Sequence, residues 1–245
     1  MAELNSFAQP VGAPVPDWTP PALPERIVHS GEYCRLEPLD VEEHGPALFS
    51  HLKGDAKSWT YLPAGPFDER EAFIDWMKAT SQGDDPLFFA IVRQSDGEPV
   101  GMAAYLRIAP TAGSIEVGHI LYSDVLKRTP AATEAMYLMM KHAFGLGYRR
   151  YEWKCDSLNA ASQSAAKRLG FTFEGIFRQA MIYKGRNRDT AWFSVIDSEW
   201  PLLDKAFTDW LKPENFASDG SQISSLGDLM AGGRKPADNG MVAPR

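Results

Sequence analysis

Apolar positions along the chain follow two periods, and the switches between them outline the elements. Helical spacing runs through 41–53 and 69–82, the second marked by Phe73, Ile74, Trp76 and Met77. It returns over 131–144, where Ala132, Ala135, Met136, Met139, Met140 and Ala143 make one apolar face. The methionines there read as core, not as a ligand box. Strand signals fill the gaps. A first strand is expected at 33–38. The continuous apolar run 87–92 suits a strand buried on both faces. Asp96-Gly97 is a hairpin turn signal, leading into 100–108; a second turn at 111–113 precedes a strand over 114–122. The segment 148–156 puts Tyr151, Trp153 and Cys155 on one face. Two more strands are expected at 172–183 and 190–200, with Asn187–Asp189 in their turn, then a helix over 201–211. The order is strand, two helices, three strands, helix, strand, helix, two strands. It predicts an α/β (α+β) fold: a mixed, mainly antiparallel twisted sheet flanked by helices.

Outside this pattern lie two extensions. Six prolines between Pro10 and Pro24 exclude regular helix or central strand, so 1–29 reads as an extended arm anchored by Trp18 and Ile27. The main domain takes 30–201 and a terminal helix 202–217. The Gly-, Ser- and Asp-rich 218–245 reads as a flexible tail. The 245 residues, 44% hydrophobic, suffice for one domain with a proper core. A net charge of −7 argues against general nucleic-acid binding. Two cysteines, Cys34 and Cys155, suggest no disulfide framework and suit a reducing cytoplasm. Five scattered histidines show no metal-ligand spacing, and no apolar run is long enough for a membrane span. No secretory signal is expected.

The chemistry concentrates in Asn159–Gly175, NAASQSAAKRLGFTFEG. Asn159 is a strong N-cap type after a strand, the alanines favour helix, and Gly170 stands where a helix would end. Ser162 then falls on the first turn. An amide and a hydroxyl meet at a helix N-terminus, which favours a phosphate-bearing ligand or a thiolate awaiting a proton.

Asn159-Ala-Ala-Ser162 followed by Lys167-Arg-Leu-Gly170-Phe171-Thr-Phe-Glu174-Gly175 resembles the GCN5-related N-acetyltransferases, in particular the ribosomal-protein N-terminal acetyltransferase branch. One extra residue separates Lys167 from Gly170. The resemblance covers about 30–201 and implies the acyltransferase fold with acetyl-CoA as cosubstrate and no metal. It places the pantetheine arm along the strand end Ile120, Leu121 and Tyr122 and against Asn159. It places the pyrophosphate at the loop running from Lys127 through Arg128, Thr129, Ala131 and Ala132 to Thr133. That loop departs from the family pattern: Pro130 stands at a glycine position and has no N–H to donate. Ser162 corresponds to the hydroxyl that protonates the departing thiolate, and Glu116 lies near the family's usual general base.

Strand alternation puts Glu116 and Gly118 on one face and Val117 and His119 on the other, so both titratable groups line one face only across a bulge. Glu116 is the leading base and His119 the second choice; Glu116 also reads as a structural carboxylate paired with an arginine. Glu152 and Asp156 share a strand face and suit a cationic substrate. Tyr61, in the aromatic run 59–67, suits the acceptor wall. The resulting expectation is direct, ternary-complex transfer of an acetyl group to a primary amine, on a small molecule or a protein N-terminus. The alternative is a CoA-binding sensor or scaffold of the same fold. No nucleic acid or membrane partner is expected; a homodimer through an edge strand or the arm is compatible with the pattern.

Overall fold

The chain opens as the extended arm its prolines require. In the computed structural model, which describes residues 3–233, β1 (Glu3–Leu4) and β2 (Pro10–Val11) form a small exposed ladder. Irregular chain then leads to β3 (His29–Ser30), which joins the main sheet. Trp18 lies half-buried over Gly113, where a Cβ would come within 3.0 Å of its ring. Ile27, expected as the second anchor, is exposed, and Pro21 is buried in its stead.

The periodic segments fold much as their spacing predicts. They form β4 (Cys34–Pro38), α1 (Val41–Leu52), α2 (Arg70–Thr80), β5 (Leu87–Arg93), β6 (Pro99–Ala109), β7 (Ser114–Tyr122) and α3 (Pro130–Gly145). Next come β8 (Arg150–Asp156), α4 (Ala160–Arg168), β9 (Thr172–Tyr183), β10 (Arg186–Ile196), α5 (Trp200–Trp210) and α6 (Leu226–Gly233). The eight-stranded sheet runs β3-β4-β5-β6-β7-β8-β10-β9. Its pairs are antiparallel except β7–β8, which is parallel. One face packs on α3 and α5 through a core that includes Phe89, Tyr105, Val117, Met139, Tyr151 and Phe207. The other half of the sheet packs on α1 and α2 through Leu48, Trp59, Phe73, Phe88 and Met102. As its composition predicts, β5 is buried on both faces, with Phe88 and Phe89 in opposite cores.

Two buried carboxylates tie the frame together. Glu134 of α3 accepts from the backbone N–H groups of Glu32, Tyr33 and Cys34 at 2.7–2.8 Å, fixing the entry to β4. Asp156 closes β8, as described below.

The last hairpin differs from expectation. Its turn is Lys184-Gly185, not Asn187–Asp189, because both turn residues have positive φ (48° and 69°) as a tight hairpin turn needs. Asp189 sits within β10, where its carboxylate accepts the Gln179 N–H. Part of the expected tail is also structured: α6 buries Leu226 and Met230 against the main core. The rest of the tail, 234–245, lies outside the described residues.

Candidate active site

Strands β7 and β8 pair only from Ser114↔Arg150 to Val117↔Trp153. Beyond that register they part, leaving a cleft between 118–122 and 154–156. A parallel pair that opens in this way exposes backbone donors and acceptors along one edge, ready for an extended ligand.

α4 supplies one wall of the cleft. Asn159 caps it, its side-chain oxygen accepting the Ser162 N–H at 3.0 Å. The Asn159 amide nitrogen has no partner among the described residues, so it is free to donate. Trp153 Nε1 donates to Ser162 Oγ at 3.0 Å. One acceptor position of the hydroxyl is therefore occupied. Cys155 is a buried core thiol; burial pushes its pKa up, against the pull of the neighbouring Ser162 hydroxyl. At the helix's far end Gly170 has φ 91° and approaches Leu203 closely.

The opposite end is the loop into α3. Arg128 is exposed and left-handed, φ 64°, with no ion-pair partner among the described residues. Thr129 caps α3: Oγ1 accepts the Ala132 N–H at 3.3 Å and donates to Leu126 O at 2.7 Å. Pro130 fills the first helical position, which the helix tolerates. Ala131 is buried. Lys127, at the start of that loop, spends its charge elsewhere, because its ammonium binds Asp55, Ser58 and Asp124 at 2.8–2.9 Å. Thr133 is buried, and its hydroxyl accepts Arg168 Nη1 at 3.0 Å. Arg168, unassigned from sequence, thus bridges α4 to Thr133 near the start of α3 and lies over the Trp210 ring. Its place in the Lys167-Arg168-Leu169 run was the available signal.

His119 and Glu116 do share a face. His119 has φ 49°, and the β6 register slips between Met102↔Leu121 and Ala104↔Gly118, so β7 carries a bulge there. Before it, Ile115 and Val117 enter the core under α3; after it, Leu121 enters the core under α1 and α2. The simple alternation is broken, and the His119 ring lies 5.1 Å from that of Phe88. His119 and Leu121 line a cavity of about 260 Å³ with Leu62, Pro63, Ala64, Trp76 and Thr80. Burial, with Arg107 nearby, holds the His119 pKa below its ordinary value, so the ring is a neutral acceptor.

Glu116 does not line that cavity. It is 3% exposed, and its Oε2 meets Arg107 Nη1 at 2.7 Å and Lys154 Nζ at 2.8 Å. Burial raises its pKa against both cations. Lys154 also binds Glu152 at 2.7 Å and sits 3.7 Å over the Trp192 ring. Arg150 joins Glu152 to Glu174. Burial pushes the Glu152 pKa up, yet the hydrogen bonds from Arg150 and Lys154 outweigh it and hold Glu152 ionised.

The remaining expected substrate contacts have other partners. Asp156 accepts the Leu158 N–H and the Tyr183 hydroxyl, both at 2.8 Å. Tyr61 is absent from the cavity wall and donates to Leu158 O at 3.1 Å. Trp59 and Phe67 belong to the core beneath the loop. Lys184, at the hairpin tip, donates to Trp59 O at 2.7 Å and closes the rim. Away from the cleft, Glu37, Glu43 and His44 lie close together. His44 there accepts the Asp40 N–H and pairs with Glu37, which makes it part of the α1 cap.

The acetyltransferase (GNAT) domain family matches residues 34–172. A GCN5-related N-acetyltransferase from Brucella melitensis is 48% identical, with TM-score 0.87 over 89% of this chain and 100% of that one. An acetyltransferase (GNAT family) from Chromobacterium violaceum is 43% identical, with TM-score 0.75 over 79% of this chain and 98% of that one. A Salmonella typhimurium acetyl transferase that modifies the N-terminal serine of ribosomal protein L7/L12 shares the fold. It is 23% identical, with TM-score 0.59 over 69% of this chain and 99% of that one. No curated protein matches the chain.

Proposed function

The chain belongs to the GCN5-related N-acetyltransferases and is therefore an acyltransferase; from that premise we propose that it moves an acetyl group from acetyl-CoA directly to a primary amine in a ternary complex. One observation carries the reading. β7 and β8 part beyond Val117↔Trp153, and the helix whose first turn Asn159 caps follows directly on β8, with His119 of β7 lining a cavity.

Arg128, Arg168 and the α3 N-terminus would hold the phosphates, compensating for the missing Pro130 donor. The pantetheine would lie along Ile120–Tyr122 and accept from Asn159. Acetyl-CoA supplies the activated acyl carbon; the chain supplies position and proton traffic. His119 is the base better placed than Glu116, because it reaches the cavity and is neutral. It takes a proton from the ammonium, and the freed amine nitrogen forms the new C–N bond as the C–S bond breaks. The thiolate takes the Ser162 hydroxyl proton; the second proton shed by the acylated nitrogen restores that hydroxyl through solvent, and His119 releases the first proton to bulk water. Glu116 acts from beneath, as part of the ion-pair floor. Two buried reduced thiols fit a cytoplasmic setting.

Calorimetry with acetyl-CoA is the first test, expected to show one site. Ser162→Ala should bind it equally well and lower kcat for thiol release by about 10²-fold. An absence of acetyl-CoA binding by the wild-type chain refutes the reading.

A further inference from the structure

Charge balance around the His119 cavity narrows the acceptor. The cavity, about 260 Å³, lies just below the ~300–1,000 Å³ usual for drug-sized ligands. Leu62, Pro63, Trp76 and Leu121 make it apolar. It therefore takes a single apolar group of the size of one side chain.

The surrounding floor has no carboxylate to spare. Glu116 and Glu152 are shared among Arg107, Lys154 and Arg150, and Asp156 holds Leu158 and Tyr183. A second ammonium on the acceptor would enter unpaired, which is costly in a partly buried site.

Glu116, Glu152 and Glu174 balance Arg107, Lys154 and Arg150 in charge, yet one of these cations keeps unused donors. Lys154 already neutralises the Glu116 oxygen that Arg107 also touches. The Arg107 side chain is 56% exposed and meets Glu116 through Nη1 alone; its other N–H groups have no partner among the described residues. Its backbone is held by a neighbouring carboxylate. Asp85 accepts the Arg107 and Ile108 N–H groups at 2.9 and 3.0 Å, fixing a left-handed turn with φ 48° at Arg107. The same guanidinium acts electrostatically on His119. A planar fork with a free edge, anchored on Glu116 three positions from His119 along β7, matches a carboxylate.

Resting on the acetyl-transfer reading above, we propose that the acceptor is an apolar amine carrying its own carboxylate close to the nitrogen, the class of free apolar amino acids. Its side chain fills the cavity, its amine faces His119, and its carboxylate binds Arg107. Lys184 of the β9–β10 hairpin, which reaches Trp59 O, adds a positive charge to the rim that draws such an anion inward.

The test is thiol release from acetyl-CoA by the full chain with matched pairs: leucine against isoamylamine and leucinamide, phenylalanine against phenethylamine. Short peptides with Leu or Phe at the N-terminus form a further arm. The amino acids should exceed their carboxylate-free partners at least tenfold in kcat/KM. In Arg107→Met and Arg107→Gln that ratio should collapse toward one, while thermal unfolding and acetyl-CoA affinity report whether the fold and the donor site survive. Equal turnover of the pairs, a ratio unmoved by either substitution, or a preference for the peptides overturns the proposal and leaves acetyl transfer standing. Thiol release with no amine at all, or no acetyl-CoA binding, instead overturns the parent reading.

Discussion

His119 and Glu116 lie three positions apart on β7, yet their surroundings divide the work between them. Glu116 is locked between two cations on an oxygen that faces the sheet. His119 stands at a cavity wall with its pKa held down by burial and by Arg107. A base must be unprotonated to work, so the depressed pKa keeps the imidazole ready over a wider acid range than a free histidine would manage. The expected pH profile of kcat/KM therefore rises through a value below the ordinary 6.5 and flattens at higher pH. Replacing His119 by Gln should lower kcat/KM by about 10²–10⁴-fold and abolish that acidic limb. If Glu116→Gln removes the limb and His119→Gln keeps it, the roles are reversed. Arg107 would move the same limb upward when neutralised, since its charge is one of the two causes of the depressed pKa.

At the scale of elements, the positions of α4 and the β7 bulge decide where these side chains act. α4 is short and is fixed at both ends, by Asn159 at the start and by Gly170 just past its end. A Cβ on Gly170 would stand 2.6 Å from Leu203 and sit on a φ of 91°. Gly170→Ala should cost about 2–4 kcal/mol from left-handed strain and overpacking together. It should also raise the KM for acetyl-CoA, because tilting α4 moves Asn159 and Ser162; urea unfolding and steady-state kinetics read the two effects separately. This helix is legible from the sequence, as are α1, α2, α3, α5 and the succession of strands β4 to β10 along the chain, because apolar period and turn signals agree along each segment. The bulge was not. Alternation assumes a regular pleat, and nothing in Gly118-His119-Ile120 announces a positive φ at a histidine. The hairpin turn was misplaced for a related reason: Asn187–Asp189 carries turn-forming residues, but Lys184-Gly185 makes the tighter turn and leaves Asp189 to hold Gln179. Sequence offers Lys127, Asp156 and Tyr61 to ligands because their partners come from segments remote along the chain: Asp55 and Ser58, Tyr183, and Leu158.

Across the whole molecule, the N-terminal arm is held against the same helix whose first turn faces the proposed phosphates. Its contact runs through β3, where the His29 ring lies 4.3 Å from His142 of α3 and 5.6 Å from Phe89, with Tyr105 6.2 Å from His142. Neither His29 Nε2 nor His142 Nε2 has a hydrogen-bond partner among the described residues. Burial, then the neighbouring His142, lower the His29 pKa to about 4. Burial lowers that of His142 as well, against the pull of Glu25. The sign follows directly. The unfolded chain protonates His29 near pH 6.5, whereas the folded chain resists until about pH 4. Stability from this pair is therefore complete above pH 6.5 and is lost as the pH falls from there to about 4. With the ring only partly buried, the loss attributable to His29 should be on the order of 2 kcal/mol across that window. Urea unfolding at pH 7, 6, 5 and 4.5 measures it. His29→Phe keeps the stacking on Phe89 and cannot take a proton, so its stability should fall less steeply than that of the wild type over the same range. Parallel slopes for the two proteins would assign the acid loss to the carboxylates of the active-site floor and leave the arm out of it.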